Sequence, residues 1–224
     1  MRECPLRNTK ISGVLFDLDG TLLDTANDLG AALNYVLRKY NLAEVAREDY
    51  RPIASDGALG LLTLGFAQAL KNYDYEELRA EFLTYYQENI AVHTCLYPGV
   101  AQLLLTLNER NIPWGVVTNK PEGLTRLLLP YYSEFEKCLS LVGGDTFTNR
   151  KPHPEPILKA CEQISVPSEL CLYVGDALRD IEAGNSAQAT TVIAKWGYII
   201  AGEDCKNWQA DYHAETPLDI LSLL

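Results

Sequence analysis

Four short apolar runs in the second half of this 224-residue chain alternate with helical segments, and that rhythm constrains the fold more than any other feature. The runs "IPWGVVTN", "CLSLVGG", "ELCLYVGD" and "ATTVIA" read as buried strands bounded by turn residues. Between and around them lie "PGVAQLLLTLNERN", "PEGLTRLLLPYY", "PEPILKACEQIS" and "LRDIEAGNSA", which read as helices. Several open on a proline, whose missing N–H does no harm in a first turn. Strand, helix, strand in this order predicts a parallel, doubly wound sheet. An earlier run, "GVLF" at residues 13–16, adds a strand to it.

Residues 24–93 break the rhythm. Leu29, Leu33, Val36, Leu37 and Tyr40 repeat at helical spacing, "YEELRAEFLTYYQENIAV" carries a second helical pattern, and no strand intervenes. The sheet pattern restarts at "CLYPGV", with Pro98 and Gly99. The expected architecture is therefore α/β: a Rossmann-like doubly wound parallel sheet core with an inserted all-helical cap domain. The core is expected to span 1–23 and 94–224, and the cap 24–93. No internal repeat is present.

Two aspartates one residue apart follow the first strand in "GVLFDLDGTLLDT". Residues i and i+2 of an extended segment project to the same side, so Asp17 and Asp19 face one point beyond the strand's carboxyl end, where open parallel sheets bind ligands. An Asp-Gly pair is also a plain turn signal. A second carboxylate pair stands at another strand end: in "LYVGDALRD", Asp176 follows the strand and Asp180 comes one helical turn later on the same face. That pair also fits an N-cap with a neighbour on the helix. Four carboxylates at two strand ends would repel without a cation, and an all-oxygen set suits Mg²⁺.

Two further elements are weaker alone. Thr118 and Asn119 end the strand of "VVTNK", offering a hydroxyl and backbone N–H groups to an anion at the start of the next helix. Lys151, in "NRKPHPEP", precedes a proline that restricts its backbone to extended or turn conformations, so its ammonium is expected on a loop. A threonine at a strand end or a lysine in a loop far more often has a structural role.

The formal charge of -11 argues against binding to nucleic acid or to an anionic membrane surface. An anionic ligand then needs locally placed cations. No apolar run is expected to reach the roughly 18 residues of a membrane span and no signal segment is apparent, which predicts a cytoplasmic protein. The six cysteines, Cys4, Cys95, Cys138, Cys161, Cys171 and Cys205, show no metal-ligand spacing and read as small hydrophobes in a reducing compartment.

Taken together, "DLDGT", "VVTNK", the Lys151 loop and "GDALRD" resemble the four ordered motifs of the haloacid dehalogenase superfamily of phosphohydrolases, and the match covers nearly the whole chain. The stretches "GGDTFTNRKPHPEPIL" and "YPGV" resemble its phosphoglycolate phosphatase branch. "IASDGALGLL", "AVHTCLYPGV", "WGVVTNKP" and "WGYI" look like relatives that dephosphorylate N-acetylmuramic acid 6-phosphate. The resemblance implies a phosphomonoesterase with Asp17 as nucleophile and Asp19 as general acid and base. It implies Mg²⁺ held by the Asp17 carboxylate, the Asp19 backbone carbonyl and Asp176, with Asp180 as ligand or as a neighbour of the ligands. Thr118, the N–H of Asn119 and Lys151 would hold the phosphoryl oxygens. Dehalogenases of the superfamily lack the second aspartate, so Asp19 points to phosphate chemistry; a phosphosugar mutase would differ only in the cap.

Specificity is expected from the cap. In "YRPIASDGALGLL", the polar Ser55, Asp56 and Gly57 interrupt an apolar helical pattern beside Arg51, as a loop over the leaving group would, or as a simple interhelical turn would. His93 and His153 read as structural, and Tyr85 and Tyr86 as cap packing. The expected partner is a small phosphorylated metabolite, with the chain a monomer or homodimer.

Overall fold

The computed structural model describes residues 10–199 and 205–224, so Cys4 lies outside the described residues. In chain order, β1 (Gly13–Phe16) is followed by a two-residue strand β2 (Leu23–Asp24), helices α1 (Ala26–Lys39), α2 (Arg47–Tyr50), α3 (Gly57–Phe66) and α4 (Tyr75–Glu88), and a second two-residue strand β3 (Cys95–Leu96). Helices and strands then alternate: α5 (Val100–Glu109), β4 (Trp114–Val117), α6 (Glu122–Leu128), β5 (Ser140–Val142), α7 (Glu155–Gln163), β6 (Cys171–Gly175), α8 (Leu178–Ser186), β7 (Thr190–Ala194) and finally β8 (Tyr212–Ala214).

Six strands form one parallel sheet in the order β5-β4-β1-β6-β7-β8, the doubly wound arrangement expected. Every residue of β1, β4 and β6 is buried, which is why these strands read as continuous apolar runs rather than as alternating ones. Within β1 the pleat still divides the side chains. Val14 and Phe16 join one buried cluster and Leu15 the other, on the opposite face with Ile157 of α7. The strand β8 was not foreseen: it has three residues, two of them exposed, and leaves no apolar run to detect.

The register places the site. Phe16 stands level with Val116 of β4 and Val174 of β6, so the segments leaving these three strands emerge side by side at the carboxyl edge. Here the chain order reverses about β1, the switch point at which such sheets bind ligands.

The helices α1–α4 lie between β2 and β3, which pair antiparallel with Leu23 opposite Leu96 and Asp24 opposite Cys95. Both linkers to the helical segment are thereby joined, a pairing too short for any sequence pattern. Leu33, Val36 and Leu37 of α1 are fully buried, while Tyr40 is half-buried with its ring edge-on to Phe66 and Tyr73. Asp28, buried in the first turn of α1, staples the second linker by accepting from the amides of His93 and Thr94 and from the Thr94 hydroxyl.

Against the expectation from sequence, one stretch, Arg47–Asn72, is long and apolar enough by length and composition to cross a membrane. It is not a uniform helix: 3-10 turns at Arg51–Asp56 and Ala67–Asn72 flank α3, and φ is positive at Gly57 (+62°) and Ala67 (+46°).

Candidate active site

The chain leaves β1 through Asp17, whose N–H donates to Val174 O at 2.8 Å, and then wraps about the Leu18 carbonyl, which accepts from the amides of Thr21, Leu22 and Leu23. Gly20 makes this turn possible. Its φ is +88°, and a Cβ there would collide with the Asp176 carboxylate. The turn sends the two neighbouring aspartates to different surroundings.

Asp17 enters a buried cluster with Asp176 and Asp180, in which one oxygen from each of the three carboxylates lies within 4.8 Å of the others. Among the described residues, the one ammonium within this cluster is that of Lys151, 2.9 Å from Asp17 Oδ1 and 2.7 Å from Asp180 Oδ1. Lys151 lies, as expected, in the loop before α7, but is 2% exposed. Its Nζ also donates to Val117 O and Tyr173 Oη, both at 2.8 Å, and Asn119 clamps its backbone, donating from Nδ2 to Lys151 O and accepting the Lys151 N–H at Oδ1.

One ammonium does not neutralise three carboxylates. Burial, with Asp180 adding to it against the pull of Lys151, raises the Asp17 pKa to about 6. Burial and the charges of Asp17 and Asp180 push Asp176 up to about 8. Burial by itself would lower the Lys151 pKa, but Asp17 and Asp180 outweigh it and the net shift is upward. The remaining lone pairs are unequally used. Asp180 Oδ2 accepts the Ala177 N–H while its Oδ1 takes Lys151 and the Tyr173 hydroxyl. Asp176 accepts from the Thr21 hydroxyl and the Tyr198 amide. Asp17 Oδ1, although close to Lys151, has no hydrogen bond of acceptable geometry. A buried carboxylate oxygen so placed, within an all-oxygen set, fits a hard divalent cation such as Mg²⁺.

Asp19 faces a cleft of about 590 Å³ between the sheet edge and the helices. Its carboxylate accepts from the Thr25 hydroxyl at 2.6 Å and pairs with Lys120 at 3.1 Å. Burial acts to lower the Lys120 pKa, but the charge of Asp19 reverses this and holds the ammonium protonated. Lys120 lies 4.5 Å from the ring centre of Tyr86 on α4. Tyr86 is thus turned toward Asp19's partner, with its hydroxyl unpartnered, whereas Tyr85 stacks on Tyr35 within the helical segment. Thr118 is buried beyond β4, its hydroxyl accepting the Lys120 N–H at 3.1 Å.

The segment Arg51–Asp56 bridges the helices to the sheet. Ser55, Asp56 and Gly57 line the cleft, and Arg179 of α8 fastens them by donating to Ser55 O at 2.7 Å and pairing with Asp56 at 3.0 Å. Arg51 does not line the cleft. Its guanidinium lies 4.9 Å over the Tyr198 ring and reaches the Gly197 carbonyl after β7, and at the linkers it meets Asp24 and the Tyr97 hydroxyl.

The structure brings Asp17, Lys151, Asp176 and Asp180 into one cluster and sets Asp19 and Asn119 at the cleft. Four participants went unread in the sequence: Lys120, Arg179, Thr25 and Tyr198. The first two sit inside "VVTNK" and "GDALRD", where a charged residue bounded by a buried strand was a usable signal; Thr25 and Tyr198 carried none. His93 acts through its backbone, and His153 Nδ1 accepts the Glu155 N–H.

Residues 14–194 match the haloacid dehalogenase-like hydrolase family. The chain is 42% identical over 204 residues to a phosphoglycolate phosphatase of Xanthomonas campestris, covering 91% of this chain and 92% of that one. It is 36% identical over 219 residues to an N-acetylmuramic acid 6-phosphate phosphatase of Pseudomonas aeruginosa, covering 98% and 97%. A crystal structure of a predicted phosphoglycolate phosphatase from Haemophilus somnus superimposes with a TM-score of 0.86 at 27% identity, covering 96% of this chain and 99% of the other.

Proposed function

This chain belongs to the haloacid dehalogenase-like hydrolases and is a phosphoric monoester hydrolase, and on that premise we propose that it dephosphorylates a small metabolite in two steps through an aspartyl-phosphate on Asp17, with Mg²⁺ required. The supporting observation is the buried set of Asp17, Asp176 and Asp180 around a single ammonium. The Asp17 and Asp176 carboxylates with the Asp19 carbonyl would hold Mg²⁺. Asp180, whose Oδ1 already takes the Lys151 ammonium and the Tyr173 hydroxyl, suits the part of a neighbour that fixes Lys151. Bound there, Mg²⁺ supplies the countercharge that lets a carboxylate meet a phosphate dianion.

Asp17 attacks phosphorus while Asp19 gives its proton to the departing alkoxide. Asp19 then takes a proton from the water that attacks the acyl-phosphate, releasing phosphate and restoring Asp17. The Thr118 hydroxyl, the Asn119 N–H and the Lys151 ammonium bind the phosphoryl oxygens and stabilise the charge that spreads over them. In this reading residues 1–23 and 94–224 form the catalytic core and 24–93 a cap whose Ser55, Asp56 and Gly57 meet the leaving group. Arg51, held at the linkers, acts on the cap's seating instead.

Phosphoglycolate is the substrate favoured by the most similar relatives described above. N-acetylmuramic acid 6-phosphate is the second reading, supported by the cleft: about 590 Å³, walled by Leu29, Leu59, Phe82 and Leu83, exceeds what a two-carbon acid fills. The deciding measurement is kcat/KM on phosphoglycolate, N-acetylmuramic acid 6-phosphate and hexose phosphates with Mg²⁺. Hydrolysis of none of them above background would overturn the proposal.

Metal binding has a signature apart from turnover. Asp17 and Asp176 have pKa values raised from an ordinary 3.8 to about 6 and about 8, so the metal-free native state keeps protons that the unfolded chain has released. The stability these groups contribute is greatest below their unfolded pKa and is lost as pH rises through about 6 and about 8. Mg²⁺ competes with those protons, so the rise in Tm on adding it should be larger at pH 8 than at pH 6. An equal rise at both would place the metal elsewhere.

A further inference from the structure

A threonine at the N-cap of a helix ordinarily turns its hydroxyl back to accept an amide N–H of the first turn. Thr25, at the start of α1, does not. Its hydroxyl donates instead to Asp19 Oδ1 at 2.6 Å, and the helix start is served from across the molecule. Tyr198, in the segment after β7, accepts the Thr25 N–H at 2.7 Å and the Ala26 N–H at 2.9 Å on its hydroxyl oxygen, and donates its own proton to Asp24 Oδ1 at 3.0 Å. Tyr198 is 3% exposed, so the Thr25 amide has little water to turn to if it is lost, while the Ala26 amide keeps a longer bond to Asp24 Oδ1 at 3.3 Å.

We propose that Tyr198 is a positioning residue for catalysis: by accepting the Thr25 and Ala26 amides on its hydroxyl it fixes the start of α1, from which the Thr25 hydroxyl orients Asp19. The inference rests on the phosphatase reading above, in which Asp19 moves the proton. It assigns to a side chain of the core the geometry of an acid that stands 179 positions earlier, at the foot of the helical segment.

Tyr198→Phe is a clean test. It removes one oxygen and keeps both the ring under Arg51 and the backbone N–H that Asp176 accepts. Without the hydroxyl the Thr25 amide loses its acceptor, the start of α1 is no longer fixed, and Thr25 holds Asp19 less well. On the best ester of the panel, kcat should fall about 10-fold, the loss expected from one hydrogen bond to a charged group, with KM within about twofold. Thr25→Val should do the same, and the double variant should fall no further than the lower single variant, because both changes remove the same contact. Unchanged kcat in Tyr198→Phe, a rise in KM at constant kcat, or losses that multiply in the double variant would each overturn the inference. If the wild type turns over no ester, the phosphatase reading fails separately. Amide hydrogen exchange then decides the structural half: the Thr25 and Ala26 amides should exchange faster in Tyr198→Phe, and unchanged protection would overturn it.

Discussion

Asp17→Asn should leave a folded protein whose turnover is at background. Asparagine keeps the shape of the side chain, and replacing one of three crowded carboxylates by an amide relieves repulsion, since Asp180 and Asp176 both gain from a neutral neighbour. Lys151 retains its shorter ion pair, to Asp180 at 2.7 Å. The metal-free variant should therefore unfold at a temperature equal to or above that of the wild type. In the proposed mechanism what disappears is the nucleophile, and the amide put in its place cannot form the covalent intermediate. The expected loss in kcat exceeds about 10³-fold, more than about 4 kcal/mol of barrier. Retention of a tenth of kcat would mean that another group attacks phosphorus.

Lys151→Met should cost both stability and activity, and the two losses have different pH dependences. Methionine approximates the length of the lysine stem but brings no charge to a site where Asp17 and Asp180 share one ammonium. Breaking a buried ion pair by removing one partner costs about 3–5 kcal/mol. Here protonation of the carboxylates softens the cost at low pH, because the pKa of Asp17, already raised to about 6, climbs further without Lys151. The metal-free variant should accordingly lose Tm more steeply than the wild type between pH 5 and pH 8. Activity should fall by about 10² to 10³ in kcat/KM, the range for deleting one donor to the transition-state oxygens. A loss below tenfold would confine Lys151 to holding the carboxylates together.

The strand and helix rhythm of residues 95–194, the projection of Asp17 and Asp19 from one strand end, and the i, i+4 relation of Asp176 and Asp180 all rest on backbone periods of a few residues. They were therefore legible in the chain, as was the helical character of residues 24–93. Local rules failed where a local interaction had been given up. Thr25 is an N-cap that does not cap, Lys151 is a loop lysine that is buried, and Tyr86 belongs to a helix-packing pair yet faces Lys120. In each instance the competing partner lies far away in sequence: Lys120 is 101 positions from Asp19, and Tyr198 is 173 positions from Thr25.

By itself, then, the sequence determined the doubly wound sheet, the helical insertion and the carboxylates that the strand ends bring to one edge, because pleat, helical pitch and turn chemistry are set by neighbours along the chain. Tertiary structure alone decided which cation meets which carboxylate, where Arg51 is spent and what fixes the hydroxyl that meets Asp19. Those pairings depend on sheet register and on how the helices seat against the sheet edge, both of which are outcomes of packing the whole core at once.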